Sequence, residues 1–265
     1  MLATTPYWTV ILASFESCRS LLYSERMTRR RWIADEFSEN TASLLGANAT
    51  HLARVLRARV GQECDIVCGD VVRMGTITAV SEERVGFALG EVVAAGGERE
   101  IVLLMAIYKF DRMEWAIEKC TELGVTRIIP VIARRTDAHL VTAAAKRVER
   151  WRRIAHEAAQ QSRRQRVPQI DEPVKLKTAL ESGLDAEAGV RLLLNENERA
   201  KKICAALEKN SSEVIFAVGP EGGWTEEELA QFEAAGWQSV TLGTTILRAE
   251  TAAIAALAAA AAILD

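Results

Sequence analysis

IVLLMAIYKFDRMEWAIEKCTELGVTRIIPVIA, residues 101–133, decides the fold class. It opens with IVLLMAIY, a continuous apolar run of strand length. DRMEWAIEKCTELG follows with helical spacing of its apolar positions, Asp111 as the N-cap and Glu114 three residues on. VTRIIPVIA is a second apolar strand. A strand, a helix and a strand in this order form a βαβ unit, and runs without alternation predict strands buried on both faces.

The same texture continues downstream. A long helix is expected over roughly 142–163, then the strand VRLLLNE, a helix around ERAKKICAALE, the strand in EVIFAVGPEGG, the helix TEEELAQFEAAG, the short strand SVTLG and a final alanine-rich helix. Residues 98–265 are therefore predicted to form an α/β domain with a largely parallel sheet. Upstream, AAGGERE (94–100) has the paired glycines and charges of a linker. Before it, DIVCGDVVRMGTITAVSEERVGFALGEVV is β-branched and broken by Gly69, Asp70, Gly75 and a Ser-Glu-Glu turn, which predicts several short antiparallel strands. ATHLARVLRARVG adds one short helix with Leu52, Val55 and Leu56 on one face. Residues 27–94 thus read as a small β-rich domain, and residues 1–26 as an extension outside the fold.

Composition excludes several classes. The 265 residues carry 33 Lys and Arg against 36 Asp and Glu, a net charge of -3, so a nucleic-acid partner must be met by local patches. Five cysteines, Cys18, Cys64, Cys68, Cys120 and Cys204, are scattered through a chain too large to need disulfides, as expected of reduced thiols in a cytosolic setting. No metal is expected: Cys64 and Cys68 lack a second pair, and His51, His139 and His156 do not sit at ligand spacing. WTVILASFESCRSLLYSER lacks a cationic start and is interrupted by Glu16 and Arg19, unlike a signal peptide. AETAAIAALAAAAAIL is shorter than the ~20 residues that span a bilayer, so no membrane partner is expected and this helix should be buried.

Two segments carry candidate chemistry. In AVGPEGGWTEEEL (217–229) an apolar strand runs into Gly219, Pro220, Glu221, Gly222 and Gly223, then a helix opened by Thr225 and Glu228. Glycines there let backbone approach a ligand at the carboxyl end of a strand, although an ordinary capped turn has the same pattern. In SVTLGTTILRAETAAIAAL (239–257) Arg248 and Glu250 stand at the mouth of an apolar helix, paired and used or simply solvated and complementing the dipole. A third segment, KRVERWRRIAHEAAQQSRRQRVP, crowds Arg147, Arg150, Arg153 and Arg164 around an apolar face of Val148, Trp151, Ala155 and Ala158. It is a phosphate-binding surface or a solvated helix face. A second basic set is Arg29, Arg30, Arg31, Arg54, Arg57 and Arg59. Neither a Walker lysine nor G-x-G-x-x-G after a strand is present, and no serine lies in a nucleophile elbow, which argues against kinases, dinucleotide enzymes and hydrolases.

Taken in order, RVLR (54–57), K-x-x-R-M-E-x-A-I-x-K-x-T-E-L-G-V (109–125), QQSRRQRVP (160–168), GPEGGWT (219–225) and LGTTILRAETAA (242–253) closely resemble the RsmE family of bacterial small-subunit rRNA uracil-N3 methyltransferases, of the SPOUT superfamily. The resemblance runs from about Met27 to the carboxyl terminus and suggests Met27 as the initiator. It implies a PUA-like RNA-binding β-barrel over 27–94, and a trefoil-knotted α/β domain that binds S-adenosylmethionine, forms a homodimer and acts on 16S rRNA in the cytoplasm. By position, the methyl donor would lie among Leu194, Asn195 and Glu196, then Val218, Gly219, Pro220, Glu221 and Gly222, then Leu242, Gly243, Ile246 and Leu247. Thr244-Thr245, Gln160 and Ala249 depart from residues common in the family.

Methylation at uracil N3 requires loss of the N3 proton, with charge spreading onto O2 and O4, so a nearby cation stabilises it. Arg248 is the first candidate, with Lys109 and Arg134 as alternatives at strand ends. The base is Glu250, Glu122 or solvent. Arg29, Arg30, Arg31, Arg54, Arg57, Arg59, Lys109, Arg134 and Arg164 are the candidate RNA contacts. A non-catalytic rRNA-binding or ribosome-assembly protein, and a SPOUT methyltransferase for another base, remain as alternatives to this function.

Overall fold

The computed structural model describes residues 31–95, 99–181, 189–207 and 213–264. The 1–26 extension, Arg29, Arg30, Cys18 and the middle of the 94–100 segment lie outside the described residues. Those described divide into two compact units, one ending at Ala95 and one after it.

The first unit is a six-stranded sheet. Strands β1 (Trp32–Ile33), β2 (Glu36–Phe37) and β3 (Thr41–Leu45) lead to a short helix, α1 (Gly46–Thr50), and a π-helical turn (His51–Val55). Then β4 (Glu63–Cys68), β5 (Val71–Val80) and β6 (Arg84–Ala95) complete the sheet in the order β1-β4-β5-β6-β3-β2. All pairs are antiparallel except β1 with β4. β5 and β6 span 10 and 12 residues, where the sequence suggested shorter strands. Irregular register at Val72–Gly75 and Ile77–Ala79 lets such long strands bend around one core. That core holds Trp32, Leu44, Leu52, Ile66 and Phe87. Cys64 and Cys68 point into it as well, and burial pushes the Cys64 thiol up to about 12, so it behaves as a small hydrophobe.

The second unit is a seven-stranded sheet in which every pair is parallel, in the order β10-β8-β7-β12-β11-β13 with β9 also on β8. The strands are β7 (Glu100–Ala106), β8 (Arg127–Ile132), β9 (Gln169–Ile170), β10 (Val174–Lys175), β11 (Val190–Leu194), β12 (Glu213–Val218) and β13 (Gln238–Val240). Alternation along β7 shows why its run is unbroken. Ile101, Leu103 and Met105 face one apolar core, Val102, Leu104 and Ala106 the other. Helices α2 (Phe110–Glu122), α3 (Ala138–Ala144), α4 (Val148–Gln161) and α8 (Ala249–Leu264) cover the first face, with the short α6 (Ile203–Ala206). α5 (Leu176–Glu181) and α7 (Glu226–Ala234) cover the second, where Phe232 stacks edge-on with Trp224 and Trp237. In α8 the buried side chains Ala253, Ala256 and Ala260 let its backbone come close to α2. No helix among the described residues is long and apolar enough to cross a membrane.

Three helix expectations need correction. The expected 142–163 helix is two, α3 and α4, joined by a 3-10 turn at Ala145–Arg147. Lys109 rather than Asp111 is the N-cap of α2, leaving Asp111 in the first turn, where its charge complements the dipole. The helix expected around ERAKKICAALE shrinks to Ile203–Ala206, because the Glu198 carboxylate accepts the Ala200 and Lys201 N–H groups in a turn.

Candidate active site

In a parallel sheet all strands end on one edge, and ligands bind outside the carboxyl ends. The loops after the adjacent strands β11, β12 and β13 enclose a cavity of about 300 Å³. Leu194 to Asn197 and Arg199 form one wall, Val218 to Glu221 with Gly223 and Trp224 a second, and Val240 to Gly243 with Thr245 to Ala249 a third. Arg112, in the first turn of α2, closes it.

Backbone hydrogen bonds lace the walls together. The Asn195 N–H donates to the Val240 carbonyl at 3.1 Å, Thr241 N–H to Lys201 at 2.8 Å, and Ile203 N–H to Thr241 at 3.0 Å. In the second wall the Gly223 N–H donates to the Pro220 carbonyl at 2.9 Å, and Arg135 Nη1 donates to the Gly222 carbonyl at 2.6 Å. Two glycines are disfavoured for replacement, Gly219 by a tight approach to Trp224 and Gly223 chiefly by its left-handed backbone. A Cβ on Gly219 would lie 3.1 Å from Trp224 Nε1, and one on Gly223, at φ +69, would lie 2.9 Å from Glu196 Oε1. The wall then passes into α7 through a capping box. Thr225 Oγ1 accepts the Glu228 N–H at 3.2 Å, and Glu228 Oε2 accepts the Thr225 N–H at 2.9 Å.

Charge is distributed unevenly. Arg112 Nη1 lies 2.5 Å from Glu221 Oε1, while its Nε is 3.8 Å from Glu250 Oε1. The Glu250 side chain is only 6% exposed and its Oε2 has no hydrogen-bond partner. Nearby, the buried Tyr108 phenol is held well above its ordinary range, first by burial and then by Cys120, Glu250 and Glu221. Arg199 and Arg248 are exposed, and neither guanidinium has a partner among the described residues.

Comparison with known proteins fits this geometry. The model of the RNA methyltransferase domain matches residues 97–261. Ribosomal RNA small subunit methyltransferase E of Bacillus subtilis is 32% identical over 231 residues, 83% of this chain and 89% of its own length. The Synechocystis protein of that name is 31% identical over 84% of this chain and 74% of its own length. This chain belongs to the ribosomal RNA small subunit methyltransferase E family. The crystal structure of the Neisseria gonorrhoeae member, bound to S-adenosylmethionine, superposes with a TM-score of 0.76 at 34% identity, covering 88% of this chain and 96% of that one. The second unit thus has the SPOUT-type α/β architecture of these methyltransferases.

Within this family member the cavity gathers Leu194, Asn195, Glu196, Val218, Gly219, Pro220, Glu221, Leu242, Gly243, Ile246, Leu247 and Arg248. Gly222 is not among its lining residues; its carbonyl accepts from Arg135 Nη1. Glu250 lies behind the lining as a buried partner of Arg112. Glu122 is corrected outright: it is at the far end of α2 from Arg112, ion-paired with Lys119 at 2.8 Å. Arg164 is also corrected. It is 6% exposed, with Nη1 donating to the Thr121 and Val125 carbonyls, so it is buried at the end of α2.

Lys109 and Arg134 are exposed without a side-chain partner among the described residues, but neither lines the cavity. Of the arginine-rich helix, Arg147 and Arg150 pair with Glu114, and Arg152 pairs with Glu149 and Glu172. In the first unit Arg31 lies 3.8 Å from Asp65 and Arg54 pairs with Glu82, whereas Arg57 and Arg59 are exposed and unpaired among the described residues. Sequence reasoning missed Arg112, Arg135, Arg199 and Trp224. Arg112 and Trp224 had a signal, their places in K-x-x-R-M-E and GPEGGWT.

Proposed function

We propose that this chain transfers the methyl group of S-adenosylmethionine to N3 of a uridine in the 16S rRNA of the small ribosomal subunit. The observation that carries this reading is the three-loop cavity at the sheet's carboxyl edge, in a chain of this family. The residues present suit such a donor. Gly219 and Gly223 lie in the second wall, where backbone can come close to a ligand, and Glu250, with one carboxylate oxygen unpartnered, is buried behind the lining.

When bound, the donor supplies an electrophilic methyl group on a positively charged sulfur. Backbone of Leu194 to Glu196, Val218 to Glu221 and Leu242 to Leu247 would hold and orient it. Arg248 presents an unpaired guanidinium at the cavity, suited to the negative charge that spreads over the uracil oxygens. Glu250 is a poor base for the N3 proton, since its carboxylate is buried behind the lining, so the proton leaves to water at the open rim. Placing the base against the methyl group supplies much of the remaining acceleration.

Arg57 and Arg59 of the first unit, which we read as PUA-like, would contact RNA phosphates. A homodimer, knotted threading of the second unit and a cytoplasmic setting complete the reading. Because N3 is hidden by Watson–Crick pairing, the target must be exposed in an assembled subunit. The test is calorimetric titration of S-adenosylmethionine, then transfer of labelled methyl to small subunits from cells lacking the activity, with sedimentation for the dimer. Labelling of a single uridine at N3 is expected. Binding without transfer would overturn the substrate, and no binding would favour a non-catalytic RNA-binding protein.

A further inference from the structure

Arg112 is shared unequally by two carboxylates. It is in direct contact with Glu221 at 2.5 Å and only 3.8 Å from Glu250. One guanidinium stands against two carboxylates, and the distances leave Glu250 the weaker share of it, with the first turn of α8 as its other source of positive potential. That side chain is 6% exposed, and its Oε2 accepts nothing. A buried carboxylate so weakly compensated is expensive to keep unless a positive partner arrives.

The surrounding charges sharpen the point. Tyr108, packed nearby, stays neutral because burial and then Cys120, Glu250 and Glu221 push its phenol upward. Arg248 and Arg199 are exposed at the cavity, as is Glu196. Exposed charges are screened by water and salt, and a buried one much less. Behind the lining there is therefore a buried negative charge, while the exposed charges at the rim are Arg199 and Arg248 with Glu196 and Glu221.

We infer that Glu250, with Glu221 drawing Arg112 away from it, makes this cavity selective for the positively charged methyl donor over its uncharged product, S-adenosylhomocysteine. The inference rests on the reading that the cavity binds S-adenosylmethionine. Donor and product differ by one methyl group and one charge. On transfer the bond from sulfur to methyl carbon breaks, a bond from N3 to that carbon forms, and the electron pair stays on sulfur, cancelling its charge. The N3 proton goes to water. A fixed negative charge buried behind the lining favours the ligand before transfer and weakens its hold afterwards. Glu250 acts in this through charge, as a specificity-determining residue.

The test is calorimetry on the full chain with S-adenosylmethionine and S-adenosylhomocysteine, for the wild type, Glu250→Gln and Glu221→Gln. The wild type is expected to prefer the donor about tenfold. Glu250→Gln keeps the shape and removes the charge. It should weaken donor binding while product binding holds, narrowing the preference to about threefold or less; unchanged product binding also shows the variant folded. Glu221→Gln releases Arg112 to neutralise Glu250 and should narrow the preference in the same way. Glu221 is half-exposed, so this variant keeps the fold and decides the matter should Glu250→Gln not fold. Equal wild-type affinity for both ligands, or a preference unchanged in Glu221→Gln, overturns this inference alone. Binding of neither ligand overturns the reading of the cavity and the inference with it.

Discussion

At Arg248 the guanidinium is exposed and unpaired at the cavity, whereas two residues on the Glu250 carboxylate is buried. Sequence spacing could not separate these roles, because which of two neighbouring charges is buried depends on where α8 packs. Arg248→Ala should lower kcat by about 10²–10³-fold, the usual cost of one oxyanion-stabilising donor, while calorimetry shows donor affinity nearly unchanged. An unaltered kcat would remove Arg248 from the chemistry. Arg164 is buried for a related reason: a basic run in the sequence gives no sign that the carbonyls of Thr121 and Val125 wait for one of its members. A further residue carries a pH dependence. Glu213 faces Glu100 across the β12–β7 pair, and burial, then Glu100, raises its carboxyl above the ordinary range. A carboxyl raised on folding costs nothing below its unfolded pKa and destabilises increasingly as pH climbs through its folded value. Glu213→Gln should therefore raise Tm at pH 8 and leave it unchanged near pH 4; an equal shift at both pH values would reject the titration.

Elements were legible where their determinants are local. The capping box of α7 is written in four consecutive residues, Thr225 to Glu228, and forms as the spacing predicts. The buried strands β7, β8, β11 and β12 follow from unbroken apolar runs, and the apolar face of α4 from Val148, Trp151, Ala155 and Ala158. Legibility failed where a neighbour decides. The start of α2 at Phe110 and the break between α3 and α4 at Ala145–Arg147 have no glycine or proline to mark them, and α6 is shortened beside the Glu198 turn. The α7 cap also bears on the cavity, since Glu228 Oε1 accepts the Arg134 N–H at 2.7 Å while its other oxygen holds Thr225 at the end of the glycine turn. Thr225→Ala should cost about 1 kcal/mol in urea unfolding. Glu228→Ala should cost more, because it frees backbone donors in two loops; equal losses would show that the Arg134 hydrogen bond contributes nothing.

At the scale of the whole molecule, an α/β class was readable and the strand order was not. Order in a parallel sheet is set by crossovers between segments far apart in sequence, such as β12 beside β7, and no local pattern reports it. Residue pattern marked two of the cavity's walls, in 217–229 and 239–257, but the wall after β11 and the meeting of all three came only through family motifs, since they join at the ends of β11, β12 and β13. RNA recognition is likewise a property of which cations the fold leaves unpaired, in a chain whose net charge is -3. Of the arginines in the 54–59 segment, Arg54 is held by Glu82, while Arg57 and Arg59 are free among the described residues and stand beside exposed Val55 and Val60. Each arginine withdrawn from a phosphate should reduce the slope of log affinity against log salt by about 0.7–0.9. Changing Arg57 and Arg59 together to Ala should therefore flatten that slope by roughly twice this amount with donor binding intact. Arg54→Ala should change it far less, because Arg54 must leave Glu82 before it can meet a phosphate. If Arg54→Ala flattens the slope as much as the double change does, the ion pair opens on binding and all three arginines meet the RNA.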